Sequence, residues 1–222
     1  MLTLETLLAS ASPRRRALLR LLNIPYAVCS TDIDETPLPS ETAPEMVTRL
    51  SRRKAETARG DNRDALIIAC DTTVELDGQI YGKPTDPDDA RRILRTLRGR
   101  AHSVYGGVTV AFPPSMGQEF ETFVVRTRVW MRNYTEAEIE AYVSSGDPMD
   151  KAAAYAVQHP LFRPVERMDG CFANVMGLSL CRLHSTLAPH VSMPQPDIEC
   201  YLHLEENCTV ARLVAAGAVA GA

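Results

Sequence analysis

The most informative hydrophobic pattern in the chain is a continuous apolar run over residues 66–70 that ends at Asp71. A short apolar run of this kind predicts a strand buried on both faces. Asp77-Gly78 then separates two short apolar segments, which predicts a hairpin over residues 74–81. Because ligands of open α/β sheets bind outside the carboxyl ends of strands, we expect Asp71 and Lys83 to meet at one sheet edge.

Both residues also have a plainer interpretation. Asp71 fits a turn residue at the end of a strand as well as it fits a catalytic acid. Lys83, taken alone, fits a solvated surface lysine. The segment is not a Walker phosphate loop, because Gly78 stands one residue too close to Gly82-Lys83, and Pro84 replaces the Ser or Thr. The pattern therefore indicates a ligand site at a sheet edge without fixing its chemistry.

Periodic patterns on both sides of this stretch predict the remaining elements. Apolar and alternating runs predict strands over residues 4–9, 26–30, 102–112, 119–130 and, in the tail, 198–204. Amphipathic patterns predict helices from Pro13 onward, over 44–59 and over 88–97, and a capping box of Thr135 and Glu138 predicts a fourth helix that ends at Gly146. An Asp169-Gly170 turn and another apolar segment follow, and beyond Leu183 the pattern decays.

The start of the first helix carries an unusual cluster of cations. Ser12 is a suitable N-cap and Pro13 a suitable first helical residue, but residues 14–16 are all arginine. The helix dipole disfavours cations in the first turn unless an anion binds there. Free N–H groups and guanidinium groups together suit a polyphosphate, so we favour an anion site over a solvated basic turn.

An acidic segment and a lysine provide further candidate chemistry. Asp32, Asp34 and Glu35 follow the second predicted strand, and a magnesium site needs only one or two carboxylates in addition to substrate phosphates. An acidic loop is more often only solvated. Lys54 shares the apolar stripe of the predicted helix over 44–59, which suits a lysine at the floor of a cleft as well as one that extends to solvent.

A later segment is rich in small residues and carries polar side chains. Asp150-Lys151 is interpreted either as a surface ion pair or as part of a ligand site, since the alanines that follow allow close backbone approach. Gln158 is able to read a nucleobase edge, because an amide both donates and accepts hydrogen bonds. His102 is interpreted as a structural residue.

Composition narrows the class of protein. The chain has 222 residues, enough for one large domain or two lobes, and its net charge of −4 argues against wholesale nucleic-acid binding. Six cysteines without a CxxC pair indicate free thiols in a reducing compartment. The amino terminus lacks the charge order of a signal peptide, and no apolar run is long enough to span a bilayer, so we expect a cytoplasmic protein.

Taken together, the motifs resemble the Maf family. The matching segments are residues 8–15, Asp34-Glu35, Lys54-Ala55, Asp71-Thr72 with Gly82-Lys83-Pro84, 99–105, 150–158 and 174–178, and the resemblance runs from about Leu7 to Leu183. It implies a mixed α/β fold, with a twisted sheet in two lobes around a central cleft as in inosine triphosphatases, and a homodimer. We expect a Maf-like domain over residues 1–185 and an extension of unknown role over 186–222.

The resemblance also implies an activity, the hydrolysis of a nucleoside triphosphate to the monophosphate and pyrophosphate. Asp71 matches the proton acceptor and Glu35 a carboxylate associated with metal and water, so Mg²⁺ or Mn²⁺ held by both is expected. The positions that match phosphate-side residues are Ser10, Arg14, Arg15, Lys54 and Lys83. We expect Lys54, Lys83 and Arg14 to bind the departing pyrophosphate.

The resemblance further points to a substrate. Arg14, Thr72 and Gln158 resemble the branch that acts on dTTP and UTP, and Asp150 and Lys151 complete the expected substrate-binding set. The chain departs from the family at Ala153, Ala156 and His159, where glycine is usual, and at Gly106, where threonine is usual. The alternative hypothesis is a nucleotide-binding regulator of cell division with weak or no catalysis.

Overall fold

The computed structural model describes residues 4–60 and 62–192. In these residues seven strands form one mixed sheet in the order β2-β1-β3-β5-β6-β7, with β4 paired to β3. The strands are β1 Thr6–Ala9, β2 Ala27–Cys29, β3 Leu66–Leu76, β4 Gln79–Tyr81, β5 Ala101–Ala111, β6 Phe120–Met131 and β7 Val165–Asp169. The helices are α1 Pro13–Arg20, α2 Ala43–Arg59, α3 Pro87–Leu97, α4 Glu136–Ser144, α5 Phe172–Met176 and α6 Leu180–Leu187. The predicted α/β class is confirmed.

Local capping explains where several helices begin. The hydroxyl of Ser12 accepts from the backbone N–H of Arg15, and Pro13 occupies the first turn of α1. Thr135 and Glu138 form the predicted capping box of α4, in which each side chain accepts from the backbone N–H of the other residue. These short-range signals place the helix starts independently of the rest of the fold.

The two faces of the sheet are covered by different helices. Alternate side chains of a strand point to opposite faces, so Ile67 and Ala69 of β3 pack with Ala55 and Ala58 of α2. The helix approaches β5 so closely that a Cβ on Gly107 would lie 2.3 Å from the carbonyl oxygen of Val47. The opposite face holds the larger core, which includes Leu8, Leu18, Ile68, Cys70, Leu94 and Val108.

A gap in the sheet lies along one edge of β3. The parallel neighbour β1 pairs only with residues 66–69, and the antiparallel neighbour β4 pairs only with residues 74–76. Between them, residues 70–73 have no strand on that edge, although β5 pairs with β3 continuously on the other edge. The expectation that the strand ends at Asp71 is therefore wrong: β3 continues, and Asp71 stands where its neighbour β1 has stopped.

Other differences from the expected elements are smaller. β1 begins at Thr6 rather than Leu4, and the apolar segment after the Asp169-Gly170 turn, to which the sequence assigned no element, contains α5. The pattern does not decay at Leu183, because α6 continues to Leu187. The strand predicted over 198–204 lies outside the described residues, as does most of the predicted extension. No helix of the described chain combines the length and the apolarity that crossing a lipid bilayer requires.

Candidate active site

A cleft of about 640 Å³ opens at the gap in β3. Residues of β1, α1, α2, β3, β4 and the segment 150–158 line it, which confirms the expected central cleft. All eleven candidate residues from the sequence line it: Ser10, Arg14, Arg15, Glu35, Lys54, Asp71, Thr72, Lys83, Asp150, Lys151 and Gln158.

The α2 face of the cleft carries two carboxylates on one ammonium group. Lys54 Nζ donates to Asp71 Oδ1 at 2.8 Å and lies 2.6 Å from Glu35 Oε1. The side chains of Lys54 and Asp71 are 9% and 8% exposed, whereas that of Glu35 is 53% exposed. Lys54 therefore does not extend to solvent, and the structure brings three residues from separate parts of the sequence into direct contact.

Electrostatics keep the outer carboxylate ionised. Burial disfavours the charged form of Glu35, but the hydrogen bond and charge of Lys54 outweigh it. The charges of Lys83 and Arg15 act in the same direction, so the pKa of Glu35 lies below its ordinary value. Lys83 is exposed at the rim of the cleft, to which the β3–β4 hairpin returns it as predicted.

Arg15 joins three elements on the opposite face of β3. Its Nε donates to the Gly177 carbonyl oxygen at 3.0 Å, and its two terminal nitrogens donate to Ser10 Oγ at 3.1 Å and Thr72 Oγ1 at 3.0 Å. None of these acceptors is a carboxylate, so the guanidinium charge is not neutralised by them. Sequence reasoning placed Arg15 at the phosphate side but did not detect this bridging role.

These contacts fix the direction in which two hydroxyl groups donate. Ser10 Oγ accepts from Arg15 and also from the backbone N–H of Ser12 at 3.3 Å, which uses both lone pairs. Thr72 Oγ1 likewise accepts from Arg15. Each hydroxyl keeps its own proton for a further acceptor, and both residues line the cleft, so both present donors to a ligand there.

Asn174 anchors the short helix that carries Gly177 to Arg15. Its side-chain nitrogen lies 3.4 Å from the Val104 carbonyl oxygen, 3.2 Å from that of Val125 and 3.1 Å from the Thr127 hydroxyl. Its side-chain oxygen occupies the space of a side chain at position 106, where a Cβ would lie 2.1 Å away. Gly106, one of the departures from the family pattern, is thus required by Asn174.

Asp150 and Lys151 are not a simple surface ion pair. Lys151 is buried, and its ammonium donates to Asp150 Oδ1 at 2.7 Å, to Asp147 Oδ1 at 2.9 Å and to the Asp147 carbonyl oxygen at 2.7 Å. Arg14 contacts Asp150 Oδ2 at 3.3 Å from the other side. Burial opposes ionisation of Asp150, yet Lys151 and Arg14 lower its pKa, and this network ties α1 to the segment after α4.

The wall of the cleft includes an amide without hydrogen-bond partners among the described residues. Both polar atoms of the Gln158 side chain are buried. Within the described residues, Nε2 has no acceptor and Oε1 has no donor. Nearby, the Tyr155 hydroxyl contacts His102 Nε2 at 2.8 Å, which confirms a structural hydrogen bond for His102. An unpaired buried amide is costly, so its presence at a cleft wall indicates a ligand that completes it.

The carboxylates of the cleft suit a hard cation that also binds phosphate. Glu35 and Asp71 meet at one ammonium group, and within the described chain neither Glu35 Oε2 nor Asp71 Oδ2 takes part in a recorded hydrogen bond. No group of three or more His, Cys, Asp or Glu side chains able to hold a metal occurs in residues 4–60 and 62–192. Two carboxylates fit Mg²⁺ or Mn²⁺ only where a ligand's oxygens complete the coordination.

Comparisons with known proteins identify the family of the chain. A family described as "Maf-like protein" matches residues 5–190. A dTTP/UTP pyrophosphatase of Dictyoglomus thermophilum is 44% identical over 184 residues, or 82% of this chain and 94% of that protein. Proteins of the same name from Pelotomaculum thermopropionicum and Myxococcus xanthus are 43% and 46% identical, over 82% and 78% of this chain and 95% and 86% of their own lengths.

Among solved structures, a HAM1 protein from Coxiella burnetii covers 84% of this chain and 99% of its own, with a TM-score of 0.47 and 15% identity. The Staphylococcus aureus Ham1 protein covers 58% of this chain and 72% of its own, with a TM-score of 0.43 and 18% identity.

Proposed function

Because the chain belongs to the Maf family, we propose that it is a nucleoside triphosphate pyrophosphatase that hydrolyses dTTP and UTP. The observation that carries the proposal is the convergence of Asp71, Lys54 and Glu35 in a cleft that is also lined by Gln158, whose amide is unpaired among the described residues. The charged group is suited to phosphate chemistry and the amide to a base.

Asp71 is the group that accepts a proton in this reaction. Its Oδ1 is held by Lys54, which leaves Oδ2 to accept a hydrogen bond from a water molecule. The water oxygen attacks the α-phosphorus, its proton passes to Asp71, and the bond from the α-phosphorus to the bridging oxygen breaks. The products are the nucleoside monophosphate and pyrophosphate.

Cationic side chains stabilise the charge of the leaving pyrophosphate. Lys83 is exposed at the rim and makes no hydrogen bond to the described residues, and Arg14 lines the cleft from the start of α1. Ser10 donates its hydroxyl proton in the same region. Preorganised donors and cations of this kind supply the largest share of catalysis in phosphoryl transfer.

The nucleoside is bound by Thr72 and Gln158 of the cleft lining. A pyrimidine presents a carbonyl acceptor beside a ring N–H donor, and the amide of Gln158 complements both with its Nε2 and Oε1. Thr72 adds a hydroxyl donor whose direction is set by Arg15. A base that formed hydrogen bonds with the buried amide would remove the free-energy cost of leaving that amide unpaired in the free protein.

Glu35 and Asp71 are the residues that would hold Mg²⁺ or Mn²⁺ together with substrate phosphates. Such a cation, when bound, offsets phosphate charge and polarises the oxygens around phosphorus. The chain itself supplies the two carboxylates, and Lys54 holds them at one place.

A regulator of cell division without catalysis is not favoured, because the related proteins compared above are named as pyrophosphatases. A homodimer, a cytoplasmic location, no binding of nucleic acid or membranes, and an independent extension over residues 186–222 stay part of the proposal, supported by the family resemblance and composition.

The test is turnover of a panel of nucleoside triphosphates with Mg²⁺ or Mn²⁺, followed by pyrophosphate release. We expect dTTP and UTP to be turned over faster than purine triphosphates. In water enriched in oxygen-18, the label should enter the monophosphate, because the attack is at the α-phosphorus. Binding of dTTP without turnover, or release of orthophosphate, contradicts the proposal.

A further inference from the structure

The ammonium group of Lys54 occupies the place at which two carboxylates face each other. Its nitrogen lies 2.6 Å from Glu35 Oε1 and 2.8 Å from Asp71 Oδ1, and it is almost completely removed from solvent. Two carboxylates that share one partly buried site repel each other unless a cation lies between them. In this structure the chain supplies that cation itself.

The two carboxylates are held with different rigidity. Asp71 belongs to β3, whose backbone pairs with β5 continuously from Ile67 to Glu75, before and after Asp71. Glu35 lies in a segment without helix or strand between β2 and α2, and about half of its side chain is exposed. Within the described residues, the Glu35 side chain makes its direct ion pair with Lys54, so Lys54 fixes the position of Glu35 relative to Asp71.

The cleft as a whole is positively charged before a ligand binds. It is lined by five cationic side chains and three carboxylates: Arg14, Arg15, Lys54, Lys83 and Lys151 against Glu35, Asp71 and Asp150. Such a cleft repels a free divalent cation and attracts a triphosphate. The phosphates of a substrate offer Lys54 alternative anionic partners and supply the oxygens that two carboxylates alone lack for a magnesium site.

We propose that Lys54 acts as a resident cation that competes with the divalent metal for Glu35 and Asp71, so that the metal binds strongly only together with a triphosphate. This inference rests on the proposed function, since it concerns the metal of that reaction. Lys54 is in this respect a positioning residue: it holds the two carboxylates together in the free protein and is drawn towards phosphate when substrate and metal arrive.

The test is binding of Mn²⁺ alone, followed by the electron paramagnetic resonance signal of the free ion. Lys54→Met removes the charge and keeps the length of the side chain, and we expect it to lower the apparent Kd for Mn²⁺ at least tenfold relative to the unmodified protein. Arg16→Met removes a cation that is not part of the cleft lining, and should change the Kd by less than threefold. The double variant Lys54→Met/Glu35→Gln should return to weak binding.

A second measurement uses the unmodified chain. Adding the α,β-methylene analogue of dTTP, which is not cleaved at that bond, should increase the Mn²⁺ affinity at least tenfold, and the gain should be smaller in Lys54→Met. An unchanged or weaker Mn²⁺ affinity in Lys54→Met, or an equal gain from the analogue in both proteins, overturns the inference. If Lys54→Met fails to fold, Lys54→Gln and the analogue titration of the unmodified protein decide. Neither readout depends on turnover, so failure of the proposed function is recognised separately, by the absence of pyrophosphate release.

Discussion

Asp71 and Thr72 are neighbours in β3, yet their side chains contact different helices on opposite faces of the sheet. Asp71 accepts from Lys54 of α2, whereas Thr72 accepts from Arg15 of α1. This is possible because neither β1 nor β4 covers that edge of the strand, so one cleft reaches both faces. Adjacent residues of one strand therefore reach both the α1 side and the α2 side of the same cleft.

The bridging geometry of Arg15 predicts that charge alone does not replace it. Arg15→Lys keeps the positive charge but cannot reach Ser10, Thr72 and Gly177 together, since an ammonium is a compact group without the planar guanidinium geometry. We expect kcat/KM for dTTP to fall by about 10–100-fold, as for the loss of about 1–3 kcal/mol of hydrogen bonding.

The matched control for Arg15→Lys is Arg16→Lys in the same helical turn. Within residues 4–60 and 62–192, the Arg16 side chain donates to the Ala11 carbonyl oxygen alone, and it does not line the cleft. It should change kcat/KM by less than threefold, and equal effects of the two substitutions would contradict the bridging role.

The unpaired amide of Gln158 predicts opposite effects on stability and on binding. Gln158→Leu removes two buried polar atoms that have no recorded protein partner, so the free energy of unfolding should stay unchanged or increase. The KM for dTTP should increase about tenfold or more, because the base loses its amide partner. Inhibition by tripolyphosphate, which has no base, serves as the control and should not change; a loss of tripolyphosphate binding would show that Gln158 acts on the phosphates.

The backbone conformation of Ala153, one of the departures from the family pattern, predicts that Ala153→Gly stabilises the protein. Its φ of 54° lies in the left-handed region, which costs an alanine roughly 1 kcal/mol compared with glycine. Ala153→Gly should therefore raise Tm by about 1–4 °C, after the larger chain entropy of glycine is subtracted. Ala152→Gly, whose φ is not positive, should lower Tm, and a decrease in both variants measured by calorimetry would refute this explanation.

The lowered pKa of buried His102 predicts that the protein loses stability in mild acid. Burial lowers its pKa from 6.5 to about 4, so the folded protein favours the neutral ring while the unfolded chain binds a proton first. Stability from this group is complete above pH 6.5 and is lost as the pH falls from 6.5 towards 4. Its contribution to the free energy of unfolding should fall by about 2 kcal/mol between pH 7 and pH 5.

Urea unfolding at pH 7 and pH 5 measures this effect. His102→Gln keeps a polar partner for Tyr155 but does not titrate, so its stability should depend less on pH by about that amount. An unchanged difference between the two pH values in the variant would assign the acid sensitivity to other groups.

Local signals made part of this structure predictable. The Asp77-Gly78 hairpin, the Ser12 cap and the capping box of α4 depend on residues within a few positions of each other, and each lies where the sequence predicts it. The buried stripe of α2 likewise follows from its helical period, including the position of Lys54 on that stripe. The family resemblance placed the candidate residues in one cleft correctly.

The remaining features depend on contacts between distant residues. The position of Asp71 in the middle of a strand follows from where β1 ends and β4 begins, which the apolar run of β3 does not reveal. Arg15 meets Gly177 across 162 positions, and Lys151 is buried because Asp147 and Asp150 surround its ammonium. A basic or acidic residue seen alone in the sequence does not show which partners bury it.

The most direct test of the account is the turnover of dTTP by Asp71→Asn with Mg²⁺. Asparagine still accepts from Lys54, which also keeps Glu35 as a partner, so folding and Tm should be nearly unchanged while kcat falls by at least about 100-fold through loss of the proton acceptor. Asp77→Asn in the exposed hairpin turn is the matched control and should keep the original kcat. A folded Asp71→Asn protein with kcat close to that of the unmodified chain would contradict the assignment of this cleft as the place where the triphosphate is hydrolysed.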